Sequence, residues 1–352
     1  MKKYIVALAA GLTLSACSGG NPFVADTGTG TGTGTGSGGS TGGGIASDRT
    51  VPPGTQTPVP DASIFRSEPT STDAGKSGNG YATAIAYDSA TDEFSVDNLG
   101  FDGNNVYARD TTPDIVSNLP FAVYEASAQL PDSLTGTPIN QLNHRAIYGV
   151  SQSGNTKFAI VRTGAYVEYG FGGFVYERDG GVVLPATGQA LYTGLSQGLR
   201  DKNGTGGLQH TRADMSIAID FDDFNDVTGT RGDAVRGNVS NRRIFDMDGN
   251  DVTDGVLGSI NASLNTTMTA IPDATFVVEP GVLDDNGEIL GQMNSYYVDS
   301  SGQNQVFETG NYYAVLSGTN ADEVVGVFVM ETTRDPSATG VRDTSGFVLV
   351  RQ

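Results

Sequence analysis

The clearest order in this chain is an alternation of apolar and polar residues. Met215, Ile217, Ile219 and Phe221 fall on one side of the stretch 213–221, and Asp214, Ser216, Ala218 and Asp220 on the other. A repeat of two is that of a strand with one buried face. Similar short runs, separated by Gly, Asn and Asp turn signals, follow from Asp61 onward, and long helical stripes are hard to find. The pattern predicts a first series of strands at 80–87, 93–99, 105–109, 121–126, 146–150, 157–163 and 167–177. After Asp179-Gly180-Gly181 and Pro185 comes a second series at 188–194, 212–221, 226–231, 274–279, 288–298, 305–317, 324–331 and 346–351. About eight strands suffice to close a barrel that side chains just fill, and closure removes edges that invite aggregation. The expected fold class is all-β, with a β-rich, handle-like module over 61–180 and an eight-stranded antiparallel barrel over 181–352.

The first sixty residues follow another pattern. Met1-Lys2-Lys3 is a positive start, Tyr4 to Leu14 is an apolar run, and Ser15-Ala16 are small residues before Cys17. This is the layout of a secretory signal, with an apolar run shorter than the roughly 20 residues of a spanning helix. Leu14-Ser15-Ala16-Cys17 resembles the bacterial lipobox, which makes 1–16 a lipoprotein signal peptide and Cys17 the lipidation site. One acyl chain holds a protein on a bilayer only marginally, whereas two or more hold it stably. Ser18, in place of Asp, resembles enterobacterial signals for the outer membrane. The stretch 27–44 reads TGTGTGTGTGSGGSTGGG, and Pro52, Pro53, Pro58 and Pro60 follow. Such sequence has nothing to bury against ordering entropy, so 17–60 is expected to be a disordered tether. Its flexible part would have an r.m.s. span of roughly 30–35 Å.

Charge and composition narrow the classes. With 40 acidic and 20 basic residues in 352, the net charge is −20, which repels phosphate backbones and argues against a nucleic-acid partner. Solubility, or preference for a basic protein, accounts for the same acidity. Cys17 is the single cysteine, so no intrachain disulfide can staple the fold. Trp is absent, and 15 Phe and 14 Tyr supply the large core side chains.

Three segments occur in order in the second module: GQALYTG at 188–194, ADMSIAIDF at 213–221 followed by VTG, and LSGTNADEVVGVFVMET at 316–332. They resemble the β-barrel of bacterial surface lipoproteins typified by transferrin-binding protein B and the factor H-binding protein. Asp220 and Phe221 match the family's strand ending in Asp-Phe, and Gly318, Ala321, Glu323, Gly326 and Phe328 match its later Gly-rich pattern. Leu316-Ser317 stand where an aromatic is usual, Thr319 replaces a proline, and Val325 replaces a glycine. The resemblance implies a barrel preceded by a handle-like domain. It also implies a surface protein that binds a macromolecule, such as an iron-carrying or other host protein, beside an outer-membrane receptor or a surface lipoprotein translocon. On the residues themselves, 320–323 reads as an Asx-type turn, Gly326 as a close backbone approach and Phe328 as filling; these roles are architectural.

Motifs for chemistry are few. Gly194-Leu195-Ser196-Gln197-Gly198 matches a nucleophile elbow, but polar residues follow it in place of a helix, and the only downstream histidine is His210. A hairpin loop is expected there. His144 and His210 form no zinc cluster, and no cofactor is implied. Asp246, Asp248 and Asn250 alternate as in a calcium loop, but Asp251 and Leu257 stand where Gly and Glu are needed, so an acidic turn is the default. Arg231-Gly232-Asp233 spells an integrin tripeptide, and Asp222-Asp223 and Asp284-Asp285 pair carboxylates in turn-like settings; solvated loops account for these. The sequence thus leads to non-catalytic binding of a macromolecule by an outer-membrane, lipid-anchored protein. A structural or adhesive envelope lipoprotein is the alternative.

Overall fold

The computed structural model describes residues 50–69, 82, 84–100, 102–164, 169–222, 235–279 and 281–352. Cys17, most of the expected tether, the expected strand at 226–231 and Arg231-Gly232-Asp233 lie outside them.

The described chain is all-β. An N-terminal sheet is built from β1 (Ile64–Ser67), β2 (Ala84–Asp88), β3 (Glu93–Asp97) and β4 (Val106–Arg109), then a short helix α1 (Pro113–Asn118) and β5 (Ala122–Ala126). A separate two-stranded hairpin follows, β6 (Gln129–Pro131) and β7 (Pro138–Asn140), before β8 (His144–Val150), β9 (Thr156–Thr163) and β10 (Gly172–Arg178). The large sheet is antiparallel in the order β1-β10-β9-β8-β5-β4-β3-β2. The chain then enters β11 (Gln189–Lys202), β12 (Leu208–Asp220) and β13 (Val235–Phe245), helix α2 (Thr253–Leu264) and β14 (Ala274–Phe276). It continues into β15 (Glu288–Val298), β16 (Asn304–Ser317), β17 (Glu323–Thr332) and β18 (Val341–Arg351). These eight strands close in sequence order, with β18 returning to β11.

Closure follows from the alternation. Met215, Ile217 and Ile219 point inward with Val239, Ile289, Met293, Tyr312 and Leu349, and these make the barrel core. The sheet presents two buried faces. Ala159 and Val161 of β9 join Phe94, Tyr107 and Tyr124 in a core on one face. Phe158 and Ile160 face the other way, into a core shared with Leu199, Tyr313, Val325 and Val327 of the barrel. Burial on both faces explains why β9 reads as nearly continuous apolar sequence. Phe158 lies against Gly346 of β18, where any Cβ would overlap its ring.

Buried polar groups bind the same contact. Arg66 of β1 donates to both carboxylate oxygens of Glu288 in β15, at 2.6 and 2.7 Å. Arg162 of β9 meets Glu68 at 2.9 and 3.0 Å and donates to Thr344 Oγ1 at 2.9 Å. Arg178 donates to the carbonyls of Asn286 and Leu316, both at 2.8 Å. Forked guanidinium geometry satisfies several acceptors at once, which suits arginine to buried pairing.

Several readings need correction. The end of the expected tether, 53–60, is packed on the folded modules: Thr55 N–H donates to the Phe65 carbonyl at 3.0 Å, and Val182 N–H to the Pro60 carbonyl at 2.7 Å. The stretch 194–198 is no hairpin loop: it lies inside β11, paired to both β12 and β18. Leu199 to Lys202 continue that strand because Arg200 and Asp201 are neutralised by Asp335 and Arg342, so buried charges mimic a loop in the sequence. β13 was not anticipated, since its polar residues include Arg242, which is buried against Glu308. Helix α2 was missed as well. Its Leu257 and Ile260 pack on Ile244, Ile271, Tyr297 and Phe307, while Gly255 and Gly258 weaken its helical signal. Among the described residues no helix is long and apolar enough to cross a membrane.

Candidate functional site

The barrel interior is filled. Beyond the apolar core, Arg242 pairs with Glu308, Ser295 Oγ donates to Glu308 at 2.8 Å, and Thr211 and Ser345 hydroxyls donate to Asp343 at 3.0 and 2.6 Å. The void among these groups is about 20 Å³, room for about one water. Ser196 lines this void, whereas His210 faces the sheet, where its charged neighbours are Arg145, Asp110 and Asp246. With Ser196 in a continuous strand, the strand-turn-helix geometry of a nucleophile elbow is absent at this place.

Both histidines are sealed in. His144 is fully buried, with Nδ1 3.3 Å from the Leu142 carbonyl, and burial lowers its pKa to about 4. His210 is equally buried, neither ring nitrogen has a hydrogen-bond partner, and burial again lowers the pKa to about 4, with Arg145 adding to the effect. At neutral pH both are uncharged packing groups.

The large opening lies between the sheet and the barrel. A cleft of about 970 Å³ is walled on one side by Val106, Ala108, Glu125 and Arg145 of β4, β5 and β8. Thr205 to Leu208, in the turn from β11 to β12, and Met247 form the other wall. Gly207 N–H donates to the Gly164 carbonyl at 3.0 Å, which ties that turn to the sheet. Glu125 and Arg145 are paired at 2.5 Å in the wall, with Glu125 nearly half exposed.

The β6–β7 hairpin stands at the rim: Ser127, Ala128, Gln141 and Leu142 at its base line the cleft. Its tip is locked by Asp132, whose carboxylate accepts from Leu134 N–H at 3.0 Å, Thr135 N–H at 2.7 Å and Thr135 O–H at 2.9 Å. Leu134 at that tip is 93% exposed, and Ile139 is exposed as well. Pro131 and Pro138 face each other across the hairpin, so these positions offer no N–H to an added strand. A rigid tip with an uncovered leucine can meet a partner by its side chains, although isolated exposed apolar residues are common. The sequence carries this hairpin as PDSLTGTP at 131–138, a turn signal between Leu130 and Ile139 that the strand reading passed over.

The residues singled out in the sequence lie elsewhere. Asp220 accepts from Gln189 Nε2 at 2.7 Å, and Phe221 is buried with its N–H on the Gly188 carbonyl. Gly318 has φ +99°, and the buried Ala321 accepts at its carbonyl from Tyr192 O–H at 2.6 Å. Glu323 accepts from Ser153 and Thr156 of the sheet at 2.9 and 3.2 Å. Gly326 lies against the Tyr313 carbonyl, and Phe328 stacks on Phe347. Asp246 accepts from the N–H groups of Asp248 and Asn250 at 3.0 and 2.9 Å, so its oxygens serve the turn. That turn also binds α1, through Asn118 Nδ2 to the Gly249 carbonyl at 3.0 Å. Among the described residues no three His, Cys, Asp or Glu are grouped to hold a metal ion.

No family model matches this chain, and no curated protein matches it. Among solved structures it is similar to a double mutant of the vaccine antigen Transferrin Binding Protein B from Haemophilus parasuis, at 14% identity and a TM-score of 0.33. That match covers 61% of this chain and 36% of the other. A single mutant of the same antigen matches at 12% identity and a TM-score of 0.31, over 64% of this chain and 41% of the other. The chain therefore spans about two-fifths of the length of these proteins or less.

Proposed function

We propose that this protein is a lipid-anchored envelope protein that binds a macromolecular partner without converting it. The observation that carries this reading is the open cleft between sheet and barrel, with the locked β6–β7 tip at its rim. The Arg66–Glu288 pair and the hydrogen bond from Arg162 to Thr344 join sheet to barrel, which limits the ordering cost of binding between them. The histidines are neutral and buried, and Ser196 faces a filled interior, which supports binding over catalysis. Cys17 is the attachment point, at the outer membrane, and the tether between it and the packed segment 53–60 gives the cleft reach. The barrel motifs act as architecture. By their resemblance, an iron-carrying or other host protein is the first class of partner to test.

Protease shaving of intact cells, with pull-downs by wild-type and Leu134→Asp protein, tests this. Surface accessibility with a saturable partner that the variant loses supports the proposal. An inaccessible protein with no saturable partner supports the structural or adhesive envelope role.

A further inference from the structure

The outer face of β15, β16 and β17 forms a second concave surface, a trough of about 470 Å³ that shares no lining residue with the cleft. Register arranges its floor in rows. Gln292 lies opposite Asn311, Asn294 opposite Thr309, and Tyr296 opposite Val306. Val329 and Glu331 of β17 extend the first two rows, beside Asn311 and Thr309. The ladder shifts between Ser295 and Tyr296, which places the exposed Val306 opposite Tyr296 and leaves Phe307 buried. Tyr296 ends the trough with half its surface exposed.

We infer that this trough binds a neutral oligosaccharide. Among the described residues lining it, Glu331 is the only charge, in a chain with a net charge of −20. Asn and Thr side chains each offer both donors and acceptors, so an uncharged chain of hydroxyl groups can satisfy them. The exposed Tyr296 ring offers an apolar surface of the kind that the C–H face of a sugar covers. Neighbouring strands repeat at about 4.8 Å, close to the length of one sugar ring. Other occupants fit less well. β16 is paired on both sides, so no strand edge is open to an added peptide here. The lining has no Lys or Arg for a phosphate backbone, and its central rows are amide and hydroxyl where an amphipathic helix needs apolar ones.

The test is calorimetric titration of the full chain, purified in detergent, with cellohexaose, maltohexaose, xylohexaose and chitohexaose, and with a sulfated heparin hexasaccharide for contrast. Saturable binding of at least one neutral hexasaccharide is expected, with a loss of about tenfold or more for Tyr296→Ala and for Asn311→Ala. Asn294→Asp, which adds a charge to the floor, loses binding similarly, and Leu134→Asp leaves it unchanged. Tyr296 and Asn294 reach the surface, so their variants retain wild-type circular dichroism and melting. Binding of none of the neutral sugars, of the sulfated sugar alone, or with equal strength to wild type and all three trough variants overturns the inference.

Discussion

Breaking the pair between Arg66 and Glu288 probes how the sheet is fastened to the barrel. Both side chains are 4% exposed and joined by two short hydrogen bonds across a sequence separation of 222 residues. Burial alone would lower the pKa of Arg66, but its hydrogen bonds and charge interaction with Glu288 raise it, so the guanidinium stays charged. Glu288→Leu leaves that charge buried, with the Thr55 carbonyl still accepting from it at 2.7 Å. Removing one member of a buried pair costs about 3–5 kcal/mol, whereas replacing both by apolar residues is often close to neutral. For a chain of this size, about 2 °C per kcal/mol makes the single-variant loss in Tm about 6–10 °C. The assay is calorimetry with urea unfolding followed by circular dichroism, on Arg66→Met, Glu288→Leu and the double variant. One transition is expected because Phe158, Ile160, Val325 and Val327 form a shared core. The double variant should recover at least half of the single-variant loss, which a double-mutant cycle reads directly. A loss under about 1 kcal/mol in Glu288→Leu, or a double variant no better than the worse single one, refutes the reasoning.

Three further outcomes follow from the geometry. Burial lowers the pKa of His210 from its ordinary 6.5 to about 4 on folding, so its stabilising contribution is complete above pH 6.5 and disappears as pH falls toward 4. Relative to His210→Leu, wild type should lose roughly 3 kcal/mol across that window, and a pH-independent difference in urea unfolding would refute it. Gly346→Ala drives a Cβ into the Phe158 ring and should cost about 1–3 kcal/mol, partly restored by Phe158→Leu, as thermal melts would show. Ser196→Ala should leave any ester hydrolysis by the purified protein unchanged; its loss in a p-nitrophenyl ester assay would reinstate the nucleophile reading.

The alternation in β12 and β15 was legible because each has one buried face and one wetter face, whereas β16 was legible by its apolar run 312–316, buried on both faces. The pattern failed where charge is buried. Leu199-Arg200-Asp201-Lys202 reads as a polar turn, yet Asp335 and Arg342, more than a hundred residues away, neutralise Arg200 and Asp201 within β11. Arg242 hid β13 in the same way, through Glu308. Helix α2 escaped because its glycines dilute a stripe that only Ile244, Tyr297 and Phe307 make useful. Neither the cleft nor the trough was legible: segments from 106 to 247 line the first, and three registered strands make the second.

By itself, then, the sequence determined what is local: the period-two strands, the glycine turns and enough strands to close a barrel. It also carries the acidic balance and the lone Cys17 in a lipobox-like string. Tertiary structure alone decided which charges are buried, how the sheet lies on the barrel and where concave surfaces open. The reason is physical: alternation and turn preference act between neighbours in the chain. The pairing of Arg66 with Glu288, or of Arg162 with Glu68 and Thr344, exists only once distant strands have met.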